Sequence, residues 1–100
     1  MDPHARNALS TVRRCIAAGR VVLFQHFTRR LDQRGMFWPD VLAVFDDPDS
    51  VRADGFDDWG RARWIVSGAA ADESPIDVVC LIDRDAKGEL TLFVTIYRMD

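Results

Sequence analysis

Residues 76–98 read IDVVCLIDR (76–84), DAKG (85–88) and ELTLFVTIYR (89–98), and this stretch decides the fold. The last segment alternates cleanly: Leu90, Leu92, Val94 and Ile96 point one way, and Thr91, Phe93, Thr95 and Tyr97 the other. Successive side chains of a strand take opposite faces, so this periodicity predicts a half-buried strand. The first segment is apolar enough for a strand in the middle of a sheet, and DAKG supplies the turn that folds the two against each other. Antiparallel sheets commonly pack one face and leave the other partly solvated. Helices are therefore expected to cover the face carrying Leu90, Leu92, Val94 and Ile96.

Working outward, RARWIVSGA (61–69) also alternates, with Ala62, Trp64 and Val66 on one face and Arg61, Arg63, Ile65 and Ser67 on the other. SVRAD (50–54) is a weaker strand, and DGFDDWG (54–60) reads as a loop whose Phe56 and Trp59 fold back over the core. The string DDPDS (46–50) is a run of turn formers and marks the change from helical to strand periodicity. At the other end, Asp2-Pro3 offers an N-cap followed by proline at the first helical position. From there Ala5, Ala8, Leu9, Val12, Cys15 and Ile16 recur at helical spacing, with Gly19 as the stop. RVVLF (20–24) is β-branched and aromatic enough for a short strand. HFTRRLDQRG (26–35) is a short helix closed by Gly35, with Phe27 and Leu31 turned inward. A third helix opens at Trp38-Pro39 and buries Val41, Leu42 and Phe45.

These elements define an α+β chain, with N-terminal helices packed on one face of a C-terminal antiparallel sheet of about four strands. It forms a single domain over residues 1–100, a helical half at about 3–46 and a sheet half at about 50–98. A chain of 100 residues supports one core. No apolar run reaches the roughly eighteen residues of a membrane span, so no membrane partner is expected. The opening MDPHARNALS lacks the charged-then-apolar order of an export signal. A cytoplasmic location follows as the expectation, with Cys15 and Cys80 as buried, reduced thiols.

The net charge of −3 is unevenly spread. Residues 1–35 carry seven arginines against Asp2 and Asp32, whereas residues 36–60 carry Arg52 against seven aspartates. Either the two halves complement each other, or one side of the domain is basic and faces an anion.

No glycine-rich phosphate loop, paired Cys-x-x-Cys, Gly-x-Ser-x-Gly or histidine pair at metal-ligand spacing occurs, so neither a cofactor nor a metal is expected. The aspartates between 46 and 58 lack the alternating spacing of a calcium loop and read as a solvated edge. What remains is His26, Arg30, Gln33 and Arg34 on one side of the second helix. Histidine moves protons near neutral pH, and arginine holds phosphate bidentately and offsets charge in a phosphoryl transition state. The plain alternative is a histidine that caps its helix beside solvated arginines. On the sheet, Arg61, Arg63, Ser67, Thr91, Thr95 and Tyr97 form a face able to stack on bases or contact phosphates. The same residues are ordinary strand formers, and Asp77 and Asp83 on that face would repel a phosphate backbone.

The string HFTRRLDQRGMFWPDVLAVFDDPDSV (26–51) has a histidine, an arginine four on, Arg-Gly, an aromatic pair and a helix opening on Pro-Asp-Val. That order resembles the bacterial domain of unknown function family 4258, and WIVSG (64–68), VVCLI (78–82) and FVTIY (93–97) resemble that family's ending. The family is distantly similar to the RelE-like and BrnT-like toxin domains, small ribonucleases with helices packed on an antiparallel sheet. The resemblance implies a RelE-like architecture and a toxin-like domain that binds RNA and cleaves it without a metal, with a cognate antitoxin protein as partner. It implies His26, Arg30 and Arg34 as the phosphate and proton-transfer site, joined by Thr95 and Tyr97 from the closing strand. Strand alternation adds Arg61 and Arg63 as substrate contacts. The alternative is a non-catalytic protein–protein interaction module of the same fold, working through the acidic 46–58 edge or the open sheet face; a small-ligand binding module is a third.

Overall fold

The computed structural model describes residues 1–99. Helix α1 (Pro3–Ala17) starts as the sequence predicts: the Asp2 carboxylate accepts from the Ala5 N–H at 2.9 Å, and Pro3 needs no donor there. Strand β1 (Val21–Leu23) follows, then helix α2 (Gln25–Gln33) and helix α3 (Trp38–Asp46). Gly35, at φ +63°, turns the chain out of α2 into α3, a conformation glycine adopts without a Cβ penalty. The entry to α3 is fixed by Asp40, whose carboxylate accepts from the Phe37 N–H at 2.8 Å and, across the fold, from the Ala71 N–H at 3.2 Å. Strands β2 (Ser50–Phe56), β3 (Ala62–Ala69), β4 (Pro75–Asp85) and β5 (Gly88–Arg98) complete the chain.

The sheet has five strands in the order β1-β5-β4-β3-β2. It is mixed, because β1 pairs parallel with β5 while the other neighbours are antiparallel. The expected antiparallel sheet of about four strands is thus extended by RVVLF. This segment leaves α1 at Gly19 and runs along β5 in the parallel sense before entering α2.

All three helices lie on one face of the sheet. The core joins Ala5, Leu9 and Val12 of α1, Phe27 and Leu31 of α2, and Val41, Val44 and Phe45 of α3 to Val66, Ile76, Val78, Cys80, Phe93 and Ile96 of the sheet. In α3, Val44 takes the inward place expected of Leu42, which is half-buried at the surface. Helix α3 approaches the sheet closely at Gly68, where a Cβ would meet Val44 Cγ1 at 3.2 Å. Phe93 lies at the centre, its ring 5.5 Å from Phe27, 5.2 Å from Trp38 and 5.8 Å from Phe45.

The helix-covered face is not the one that strict alternation predicts. Cys80 pairs with Phe93 and Val79 with Thr95, so Val94 is an extra residue with no partner of its own in β4, a β-bulge. The bulge resets the alternation. Thr91, Phe93 and Ile96 face the helices, and Leu92, Val94, Thr95 and Tyr97 belong to the other side. Thr91 therefore leaves the open face to which alternation assigned it and is fully buried. Phe56 and Trp59 also depart from expectation: both are exposed, at 69% and 83%, instead of folding over the core. They sit where β2 has outrun its packed part and the loop to β3 stands clear of the helices.

The two cysteines are free and buried, as expected. Burial, with a smaller contribution from Cys15, pushes the Cys80 thiol up to about 12. Among the described residues no helix is long and apolar enough to cross a membrane.

Candidate functional site

His26 is the second residue of α2 and is exposed where the helix meets the end of β5. It lines a shallow depression of about 340 Å³ together with Asp54, Arg63, Thr95 and Tyr97, over a floor that includes Ile65, Val79 and Val94. One helical turn on, the Arg30 guanidinium lies over the Tyr97 ring, 5.7 Å from its centroid, a distance at which cation and ring attract. Five of the seven residues singled out in sequence thus gather at one place: His26, Arg30, Arg63, Thr95 and Tyr97. The bulge is what brings Thr95 and Tyr97 there, beside Val94 on the open side of β5.

The remaining two lie apart. Arg34 is the C-cap residue of α2, half-buried and not part of the depression's lining. Arg61 borders a neighbouring depression with Phe24, Asp57, Asp58 and Trp59. The Thr95 hydroxyl is buried and has no hydrogen-bond partner among the described residues, and the same is true of Thr91 on the helix side.

The electrostatics of the open sheet face and of the α2 segment differ. On the open face every arginine has a carboxylate. Arg63 reaches Asp54 at 3.1 Å, Arg52 reaches Asp77 at 3.5 Å, and Arg61 reaches Asp57 at 2.6 Å and Asp83 at 3.5 Å. Asp57 is tied most firmly. Partial burial works to raise its pKa, but hydrogen bonds from the Arg61 and Trp59 backbone N–H groups and the Arg61 guanidinium outweigh that and hold it below the usual carboxylate value. By contrast, Arg29, Arg30 and Arg34 of the α2 segment have no carboxylate within ion-pairing distance among the described residues. Asp32 is the single acidic residue on that helix, and it too is unpaired.

Chemically, this arrangement can bind an anion and move a proton beside it. Arg30 supplies a fixed cation, His26 an imidazole and Tyr97 a phenol. No group of three or more His, Cys, Asp or Glu side chains among the described residues could hold a metal ion. Sequence reasoning missed Asp54, which neutralises Arg63, and the cluster of Phe24, Asp58 and Trp59. One sequence signal does point to that cluster: Asp57-Asp58-Trp59-Gly60-Arg61 is an aspartate placed to accept from N–H groups just ahead of it, with a glycine to close the turn.

No family model matches the chain, and no curated protein sequence matches it.

Proposed function

We propose that this chain is a toxin-like domain, akin to family 4258 and RelE-like in architecture, that binds RNA and cleaves it by transfer of the phosphate to the neighbouring 2′-hydroxyl. One observation supports this above the others. Arg30, which has no carboxylate among the described residues, lies over Tyr97 at the His26 depression, in a molecule whose sheet arginines are all neutralised. A cation left without a carboxylate in an acidic protein is available to a phosphate.

In the proposed reaction Arg30 holds the scissile phosphate, with Arg34 further along the backbone. His26 accepts the 2′-hydroxyl proton as that oxygen attacks phosphorus. The bond from phosphorus to the 5′-oxygen breaks, and Tyr97 donates a proton to the leaving oxygen. The products are a 2′,3′-cyclic phosphate and a free 5′-hydroxyl, and the proton on His26 returns to Tyr97 through solvent. Arg63 contacts the substrate within the depression, whose lining Thr95 helps form, and Arg61 borders the neighbouring depression. Such a substrate places the protein in the cytoplasm, where a cognate antitoxin would hold it in check.

The test is induced expression, with RNA cleavage by the purified protein assayed in the presence of a chelator. The wild type is expected to arrest growth and leave cyclic-phosphate ends. Single replacements His26→Ala, Arg30→Ala and Tyr97→Phe are each expected to reduce cleavage by about 100-fold or more. A wild type that neither arrests growth nor binds RNA sinks the proposal. The second reading, a non-catalytic protein–protein module, draws on the exposed Phe56 at the acidic 46–58 edge; it predicts an intact partner complex in the His26→Ala protein and no RNA chemistry in either form.

A further inference from the structure

Beside the His26 depression lies a second one of about 240 Å³, and the two share Arg63 and Val94. Leu81 and Phe24 give it an apolar lining, and Trp59 and Asp58 stand at its rim. The Trp59 side chain is 83% exposed, an unusual place for the largest apolar side chain. Its backbone is nevertheless fixed by the loop. One Asp57 oxygen accepts from the Trp59 N–H at 3.1 Å and the Arg61 N–H at 2.7 Å, while the other accepts from the Arg61 guanidinium at 2.6 Å. Gly60, at φ +77°, closes the turn. A bare indole on a stiffened loop, above an apolar floor, is a platform on which a flat ring can stack.

Asp57 is fully used by these bonds. Asp58 is exposed and has no partner among the described residues. A free carboxylate accepts two parallel N–H bonds. Among the RNA bases, guanine presents two neighbouring N–H donors, N1–H and the N2 amino group, along one edge. Arg61 and Arg63 line the same depression, each already paired with an aspartate, so Asp58 is the carboxylate there left to read a base.

We infer that this second depression is a base subsite that takes a guanine of single-stranded RNA, stacked on Trp59 and read by Asp58. The inference rests on the RNA-binding reading. It adds that the nucleotide next to the phosphate held near His26 is chosen by base.

The experiment measures fluorescence anisotropy of short oligouridylates carrying a single central guanine, adenine or inosine base. Guanine is expected to bind about tenfold tighter than adenine, as a bidentate contact allows, with inosine between because it lacks the N2 amino group. Asp58→Asn replaces one acceptor with a donor and is expected to remove the guanine preference. Trp59→Ala is expected to weaken every sequence by about tenfold, as loss of a stacking platform does. His26→Ala is expected to abolish cleavage while keeping the guanine preference in binding. Equal binding of all three oligonucleotides, or a preference that survives Asp58→Asn, overturns the subsite and leaves the RNA-binding proposal standing. Failure of every oligonucleotide to bind overturns both.

Discussion

Phe93 joins the sheet to two of the helices, touching Phe27 of α2 and both Trp38 and Phe45 of α3 with no solvent exposure. Tilted and edge-on ring pairs of this kind add to the energy of burial itself. Replacing Phe93 with alanine removes all three contacts and leaves a cavity between rigid elements. We expect a loss of about 3–5 kcal/mol in urea unfolding, the range for a buried aromatic truncated to alanine. A much smaller loss would mean that the helices close over the gap. Cys80, on the neighbouring strand and paired with Phe93, has its thiol held up at about 12 by burial and is therefore an inert part of the same core. Burial of Cys80 requires no more of the sequence than its apolar strand, which is why it was legible there. The orientation of Phe93 was not legible, since strict alternation placed it on the open face with Thr91.

Val94 shows why. A bulge is a property of two strands together: whether β5 carries an extra residue depends on what β4 sets opposite it, and neither strand's own periodicity records the mismatch. The extra residue sends Phe93 and Ile96 to the helices and leaves Thr95 and Tyr97 beside His26. Deleting Val94 is expected to give a regular ladder that keeps Phe93 and Ile96 inward, so cooperative unfolding should persist. The same deletion removes part of the floor shared by both depressions, so RNA affinity should fall. Circular dichroism with urea titration checks the first expectation and anisotropy the second; an unfolded product would show that the extra twist of the bulge is itself needed for packing. Other elements follow their local signals closely. The ends of α1 and α2 lie where Asp2-Pro3, Gly19 and Gly35 place them, because capping and left-handed glycines act within a few residues.

For the molecule as a whole, the uneven charge seen along the chain becomes a spatial division. The sheet arginines are matched by aspartates that the sequence supplies mostly from residues 54–83, while Arg29, Arg30 and Arg34 are left to solvent or to a ligand. The pairing runs within the sheet half, and the paired arginines of residues 1–35, Arg14 and Arg20, meet Glu89 and Asp85 and not the acidic stretch 36–60. If these three arginines carry the phosphate contacts, the logarithm of RNA affinity should fall with the logarithm of salt concentration with a slope of about −2, at roughly 0.7 per single-strand phosphate contact. A slope near zero would place binding on neutral contacts and remove α2 from the interface. A slope several times steeper would require cations beyond α2, against the pairing seen on the sheet.

What the sequence by itself determined was the set of elements and their order: three amphipathic helices, the strands after DDPDS, and the inward residues of α1 and α2. Those features depend on periodicity and on caps, which operate between residues a few positions apart. It also marked His26, Arg30, Arg63, Thr95 and Tyr97 as residues with suitable chemistry. Only the tertiary structure decided which of them meet, which arginines are neutralised, that RVVLF joins the sheet in parallel, and that Trp59 stands free above a second depression. Each of these is a relation between segments far apart in the chain, set by strand register and by the way the helices cover one face, so no local pattern could carry it.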